Sequence, residues 1–286
     1  MQRLLLLLLL VMVSLSSTAV SARPLQAVFE QESRVALSNP HDLKLSPDGQ
    51  LLLVSDVGNN RVAMLDPDSL ELVGQFGADH QAGTHDIDFD KNGLAYVADT
   101  HNNRVTIYRM HNMQATLIGE LGESIRGPEG VLAHPNGRIY VAGAWSGNVV
   151  AFQRGEKVGE LTGLSSPHDL ELADNGDLWL ADAGNDRILR LSPELVIKDI
   201  LPGEKYHFRG VRYLDTMQDG TLIAADKYTH SVKFIGVDGT LRLQLGSGKA
   251  ARGDYEFTTP EGVEVLGNRV WISDSGNDRI VRFLLQ

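Results

Sequence analysis

Six ionisable side chains recur at one place in a repeating pattern: His41, His85, Glu129, His168, Arg209 and Glu261. Each follows a proline or its equivalent, where a short alternating strand begins. In alternate units, His85, His168 and Glu261 form a set of two imidazoles and one carboxylate. Such a set can hold Zn2+ or another divalent transition metal and leave positions open for water or substrate. The other alternate set, His41, Glu129 and Arg209, mixes charges and suits the anchoring of a polar ligand. A bound metal would polarise a substrate oxygen or acidify a bound water. His41 or Tyr228 would then move protons, and Arg209 would hold a carboxylate or a developing negative charge. The competing reading is a solvated channel mouth with repeat-derived histidines and no metal. Asp42, Asp86 and Asp169 follow the three histidines, where an adjacent carboxylate can orient an imidazole if the backbone allows it.

The elements that must position these residues are legible in the repeat. The six positions are 39 to 52 residues apart, and each opens a unit of the same design. A short alternating run such as Leu43-Lys44-Leu45 is followed by a turn pair, for example Asp48-Gly49, Asn92-Gly93 or Asn136-Gly137. These residues tolerate the positive φ of a tight hairpin. A nearly continuous apolar run follows, such as Leu51–Val54 or Ile139–Ala142, as expected of a strand buried on both faces. Two more strands complete most units, and no long stretch beyond the N-terminal segment has a helical period. The expected fold is all-β, a six-bladed propeller of four-stranded blades. The last unit stops after its third strand, so Leu25–Glu30 is expected to supply the fourth and close the ring. This divides the chain into a leader over 1–22, a closing strand and linker over 23–36, and the propeller over 37–286.

Antiparallel connectivity places the turn after each second strand on the same face as the six ionisable positions. In four units this turn runs from an Asp to an Arg, as in Asp56 to Arg61, a pattern suited to a structural carboxylate–guanidinium pair. The third unit has Trp145 there and the fifth has Tyr228 and His230, with the Arg missing from both. Aromatic gain with loss of the pair marks a candidate binding surface. Glu129, Trp145, Tyr228 and His230 are its expected ligand contacts, with the inserted loop Gly246–Tyr255 beside them, and His101 is a further candidate on this face. Lys44, Asp88, Glu171, Arg212 and Glu264 are expected to form a second layer around a water-filled channel. His80, His111 and His134 fall in turns and are expected to be exposed.

These units resemble NHL repeats, most closely in the stretch GSGKAARGDYEFTTPEGVEV, and the resemblance spans 37–286. It implies a propeller and leaves the function open. The His-bearing units, SPHDLELADNGDLWLADAGNDRI above all, are similar to those of the peptidyl-α-hydroxyglycine α-amidating lyases. That similarity implies an exported six-bladed propeller with zinc held by one His from each of three alternate blades, and a Tyr and an Arg acting on the substrate. His85 and His168 match alternate blades, Glu261 stands in the third place, and Tyr228 and Arg209 match by residue type. Two functions follow. One is a binding platform for a peptide, protein, glycan or small molecule. The other is a metal-dependent lyase or hydrolase at the same mouth.

Composition narrows the setting. Arg3, an apolar run from Leu4 to Val13 and the small residues Val20 and Ala22 read as a signal peptide cut before Arg23. The expected location is therefore periplasmic or extracellular, with no membrane attachment after cleavage. The 286-residue chain has a net charge of −11 and no cysteine. Acidity argues against nucleic acid as a partner, and the lack of cysteine excludes disulfides and thiol chemistry.

Overall fold

A computed structural model describes residues 24–286, and the expected signal peptide lies outside the described residues. The fold is a six-bladed β-propeller, each blade a four-stranded antiparallel sheet. The inner strands, which face the channel, are Pro40–Leu45, Thr84–Phe89, Pro128–Ala133, Pro167–Leu172, Val211–Thr216 and Val263–Leu266. Second strands such as Leu52–Asp56 are buried along their whole length, because the neighbouring blades cover both of their faces. Outer strands such as Glu156–Thr162 alternate between exposed and half-buried residues. Hydrophobic clusters span the seams: Leu132, Tyr140 and Ala142 of blade three pack with Leu170, Leu178 and Leu180 of blade four.

The N-terminal strand closes the ring. Ala27–Glu32 pairs antiparallel with Arg279–Leu285 as the outer strand of blade six, with Ala27 opposite Leu285. Phe29 stands edge-on to Phe283 at 5.8 Å, and Glu32 pairs with Arg279. The inserted loop 246–255 packs at this seam and against the blade-six turn, where the Ala251 carbonyl accepts from the Asn277 amide. The Tyr255 hydroxyl accepts the Phe29 N–H, and the carbonyls of Gly253 and Glu256 accept from Arg279.

Two devices recur at the turns of every blade but the third, one holding the turn within its blade and one reaching the next blade. The turn Asp accepts one main-chain N–H and one guanidinium: Asp56 takes Ser38 N–H at 2.8 Å and Arg61 Nε at 2.7 Å, and Asp99, Asp182 and Asp274 do the same in their blades. In blade five Asp226 pairs with the buried Lys233, which replaces the missing Arg from a strand position. The last turn residue then accepts an N–H from the following blade. Asn60, Asn103, Asp186 and Asp278 do so, and the His230 Nδ1 takes the Thr259 N–H at 3.0 Å in the same way.

Candidate functional site

Strand pairing fixes which residues share the mouth. In blade four Pro167 lies opposite Asp182, and in blade five Val211 lies opposite Asp226. The residue after each is therefore equivalent, and the fifth ring position belongs to Arg212, not Arg209. The expected placement of Arg209 is corrected by three residues, and Arg212 moves up from the second layer. The local resemblance of Arg209-Gly210 to Glu129-Gly130 and Glu261-Gly262 misleads. Spacing to the end of the second strand would have found the right residue: it is 13 to 15 in the other five blades, 14 for Arg212 and 17 for Arg209.

The six side chains gather in a ring. The His41 and His85 imidazoles meet edge to face at 4.6 Å. Glu129 Oε2 lies 2.5 Å from His168 Nε2, and Arg212 sits against the His168 imidazole. Arg212 Nε lies 3.5 Å from Glu261 Oε2, and Glu261 Oε1 lies 3.9 Å from His41 Nε2. Lys227, from the blade-five turn, pairs with Glu261 as well. Glu261 thus faces two fixed cations, and Glu129 faces His168. Burial lowers the His41 pKa well below that of a free imidazole, and the neighbouring His85 and Lys227 lower it further. Burial also lowers His85. For Glu129, burial acts upward but the ion pair with His168 outweighs it, and the carboxyl stays well below its usual range.

Main-chain carbonyls, rather than the adjacent Asp residues, orient two of the histidines. The His85 Nδ1–H donates to the Gly83 carbonyl at 2.9 Å, and the His168 Nδ1–H to the Ser166 carbonyl at 2.8 Å. This fixes the His85 tautomer and leaves its Nε2 lone pair available. The Asp carboxylates instead accept N–H groups of the next blade: Asp42 from Ile87, Asp86 from Val131 and Asp169 from Leu214. Where Gly130 and Gly262 stand in place of Asp, a Cβ would strike the carbonyl oxygens of His168 and His41.

Beneath the ring, side chains cross the channel. Tyr213 crosses it from blade five, and its hydroxyl lies 3.0 Å from the carbonyl oxygens of both His85 and Glu129. Lower still, Lys44 faces Glu171 at 3.2 Å, Glu264 at 3.9 Å and Asp88 at 4.0 Å. Asp215 takes the second-layer place expected of Arg212, and its carboxylate accepts the Val265 N–H.

The other candidates divide. Tyr228 is exposed, with Arg212 5.8 Å from its ring centre. It lines a cleft of about 410 Å3 with Arg209, Arg212, Ser166 and Asp186. Trp145 is exposed on the blade-three side of the mouth. His230 serves the clip to blade six. His134, expected in the open, is buried, with its Nε2 3.0 Å from the Gly176 carbonyl oxygen. His85, His168 and Glu261 do not form a ligand set as they stand. Among the described residues no three His, Asp or Glu side chains converge in metal-binding geometry, and Glu261 is engaged by two cations.

Fold and site define a six-bladed propeller with a charged, buried ring at one mouth. A family model described as "Lactonase, 7-bladed beta-propeller" matches residues 14–120, a stretch that holds blades one and two of the six seen here. A Caenorhabditis elegans protein named "Probable peptidyl-alpha-hydroxyglycine alpha-amidating lyase" is 27% identical over 128 residues, which cover 41% of this chain and 36% of that protein. The chain thus matches little more than a third of its curated relative's length. Among solved structures, a streptogramin B lyase aligns with a TM-score of 0.67 over 92% of this chain and 97% of its own, at 14% identity. A Bacteroides thetaiotaomicron protein of unknown function aligns with a TM-score of 0.73 over 89% of this chain and 71% of its own, also at 14% identity. Virginiamycin B lyase from Staphylococcus aureus, in a catalytically inactive form with quinupristin, aligns with a TM-score of 0.63 over 91% of this chain and 98% of its own. At these identities the structural likeness is one of fold.

Proposed function

We propose that this propeller binds a carboxylate-bearing small molecule or peptide at the ring mouth. The observation that carries this reading is Arg212. Its side chain stands in the ring, with Nε 3.5 Å from Glu261 Oε2, and also lines the cleft with Arg209 and Tyr228. Two arginines lining one cleft favour an anion that both can reach. The chain carries a net charge of −11, so local cations at the mouth concentrate anions where the rest of the surface repels them. The test is calorimetric titration with N-acetylalaninate at low ionic strength. We expect binding that weakens at least about tenfold in Arg212→Gln, the loss of roughly one charge-assisted contact. Equal affinity in the variant would overturn the reading.

The second reading is a lyase or hydrolase acting on such a ligand. It is favoured by His85, a neutral imidazole with a fixed tautomer and a free Nε2, and by the likeness to proteins named as lyases. A metal in this reading would require Glu261 to give up Lys227 and Arg212. Elemental analysis of the untagged protein beside His85→Ala/His168→Ala, with turnover of a peptidyl-α-hydroxyglycine, tests it. A metal-free protein without turnover rejects it. Export ahead of Arg23 is part of the proposal, and N-terminal sequencing of the protein recovered outside the cytoplasm tests it.

A further inference from the structure

Two positions near the mouth exchange size in concert. The third residue of the turn after the second strand is Gly58, His101, Trp145, Gly184, Tyr228 and Gly276 around the six blades. The residue two places before each ring position is Asn39, Gly83, Gly127, Ser166, Gly210 and Thr259, all at positive φ. Blades with glycine in the turn carry a side chain at the second position. Blades with a ring in the turn carry glycine there, because the ring lies across the backbone: a Cβ on Gly83 would meet His101 at 3.0 Å, and one on Gly210 would meet Tyr228 at 2.7 Å. Glycine at the second position thus makes room for a ring at the mouth of blades two, three and five only.

Covering backbone does not require a ring to stay open to solvent, yet Trp145 is 51% exposed. It lies nearly parallel to His101, with centroids 5.8 Å apart and planes 19° apart. His101 approaches His85 at 6.4 Å, and His85 approaches His41 at 4.6 Å. A succession of rings therefore runs from the rim to the buried ring along blades three, two and one. The cations Arg209, Arg212 and Lys227 lie on blade five and the loop leading into it.

Resting on the carboxylate-binding reading, we propose that Trp145, backed by His101, is a stacking subsite for an aromatic ring, so that the ligand is an aromatic carboxylate. A flat ring laid on Trp145 continues an offset stack at the spacing aromatic pairs prefer. Its anionic group turns toward the cations across the mouth. A neutral sugar could stack on the same indole but would leave the cationic side without a partner.

The test compares N-acetylphenylalaninate with N-acetylalaninate by calorimetry, in the parent, Trp145→Ala and Trp145→Phe. The parent should favour the phenyl compound by about threefold to tenfold, the worth of one stacked pair. Trp145→Ala should abolish that preference without changing N-acetylalaninate affinity, and Trp145→Phe should retain most of it. A preference that survives Trp145→Ala, or equal weakening of both compounds, overturns the subsite and leaves the carboxylate reading standing. Competition by methyl glucoside at Trp145 would make the shelf a sugar platform and also overturn it. If neither carboxylate binds the parent, the carboxylate reading fails and the subsite falls with it.

Discussion

Tyr213 on blade five and His85 on blade two, diametrically opposed in the ring, are joined by a hydrogen bond. The Tyr213 phenolic oxygen lies 3.0 Å from the His85 carbonyl oxygen, and the same hydroxyl reaches the Glu129 carbonyl at 3.0 Å. The main chain that carries two ring residues is thereby held from the far side of the channel. Tyr213→Phe keeps the packing and removes the only donor these contacts have. It should cost about 1–3 kcal/mol, the penalty for leaving buried acceptors unsatisfied, as read by chemical denaturation.

Ring closure makes the second prediction. Ala27–Glu32 supplies a whole strand of blade six, and Phe29 and Glu32 meet Phe283 and Arg279 there. Deleting residues 24–32 bares an edge strand and should cost on the order of 5 kcal/mol or more, beyond the range of single substitutions. Thermal unfolding of the truncated chain checks it. An unchanged midpoint would mean that the ring does not depend on this strand.

Lys233 is buried and its ammonium pairs with the buried Asp226. Lys233→Ala leaves that carboxylate without its countercharge and should destabilise by about 3–5 kcal/mol. Lys198, on an exposed stretch of strand, offers the control, and its alanine variant should stay within about 0.5 kcal/mol of the parent.

Gly130 approaches the His168 carbonyl so closely that a Cβ has no room. Gly130→Ala must push blades three and four apart at the ring and should cost more than about 2 kcal/mol, as overpacking does. Gly155 reverses the case, with open space around its Cβ position but a φ of +83°, so its cost is one of backbone strain alone. Gly155→Ala should cost only about 1–2 kcal/mol.

The channel beneath the ring predicts a pH dependence. Burial is the main cause that raises Glu264 to about 7, against the opposing charge of Lys44. The folded state therefore holds this proton more tightly than the unfolded chain. The stability that the protonated group contributes is present below the unfolded pKa and is lost as pH rises through the folded value. Glu264→Gln keeps an oxygen for the Leu45 N–H and stays uncharged. It should flatten the fall in stability between about pH 4.5 and 7, by up to roughly 3 kcal/mol. Parallel slopes in parent and variant over that window would contradict this.

What the sequence determined by itself was whatever repeats locally. Turn pairs such as Asn136-Gly137 and the alternating inner strands sufficed for six blades, and a last unit one strand short sufficed for closure by the N-terminal strand. Five of the six ring residues were legible for the same reason, since each stands at the same offset in its own unit. Arg212 was hidden because Arg209-Gly210 imitates the local motif while strand pairing, a contact between distant residues, sets the register. Tyr213, Lys227 and Lys233 carried no signal along the chain, because each acts on a partner in another strand, turn or blade. Tertiary structure alone decided that Asp42, Asp86 and Asp169 cap the next blade instead of orienting histidines, and that two cations claim Glu261. Those choices depend on which groups ring closure brings within hydrogen-bonding distance, and spacing along one chain does not encode that distance.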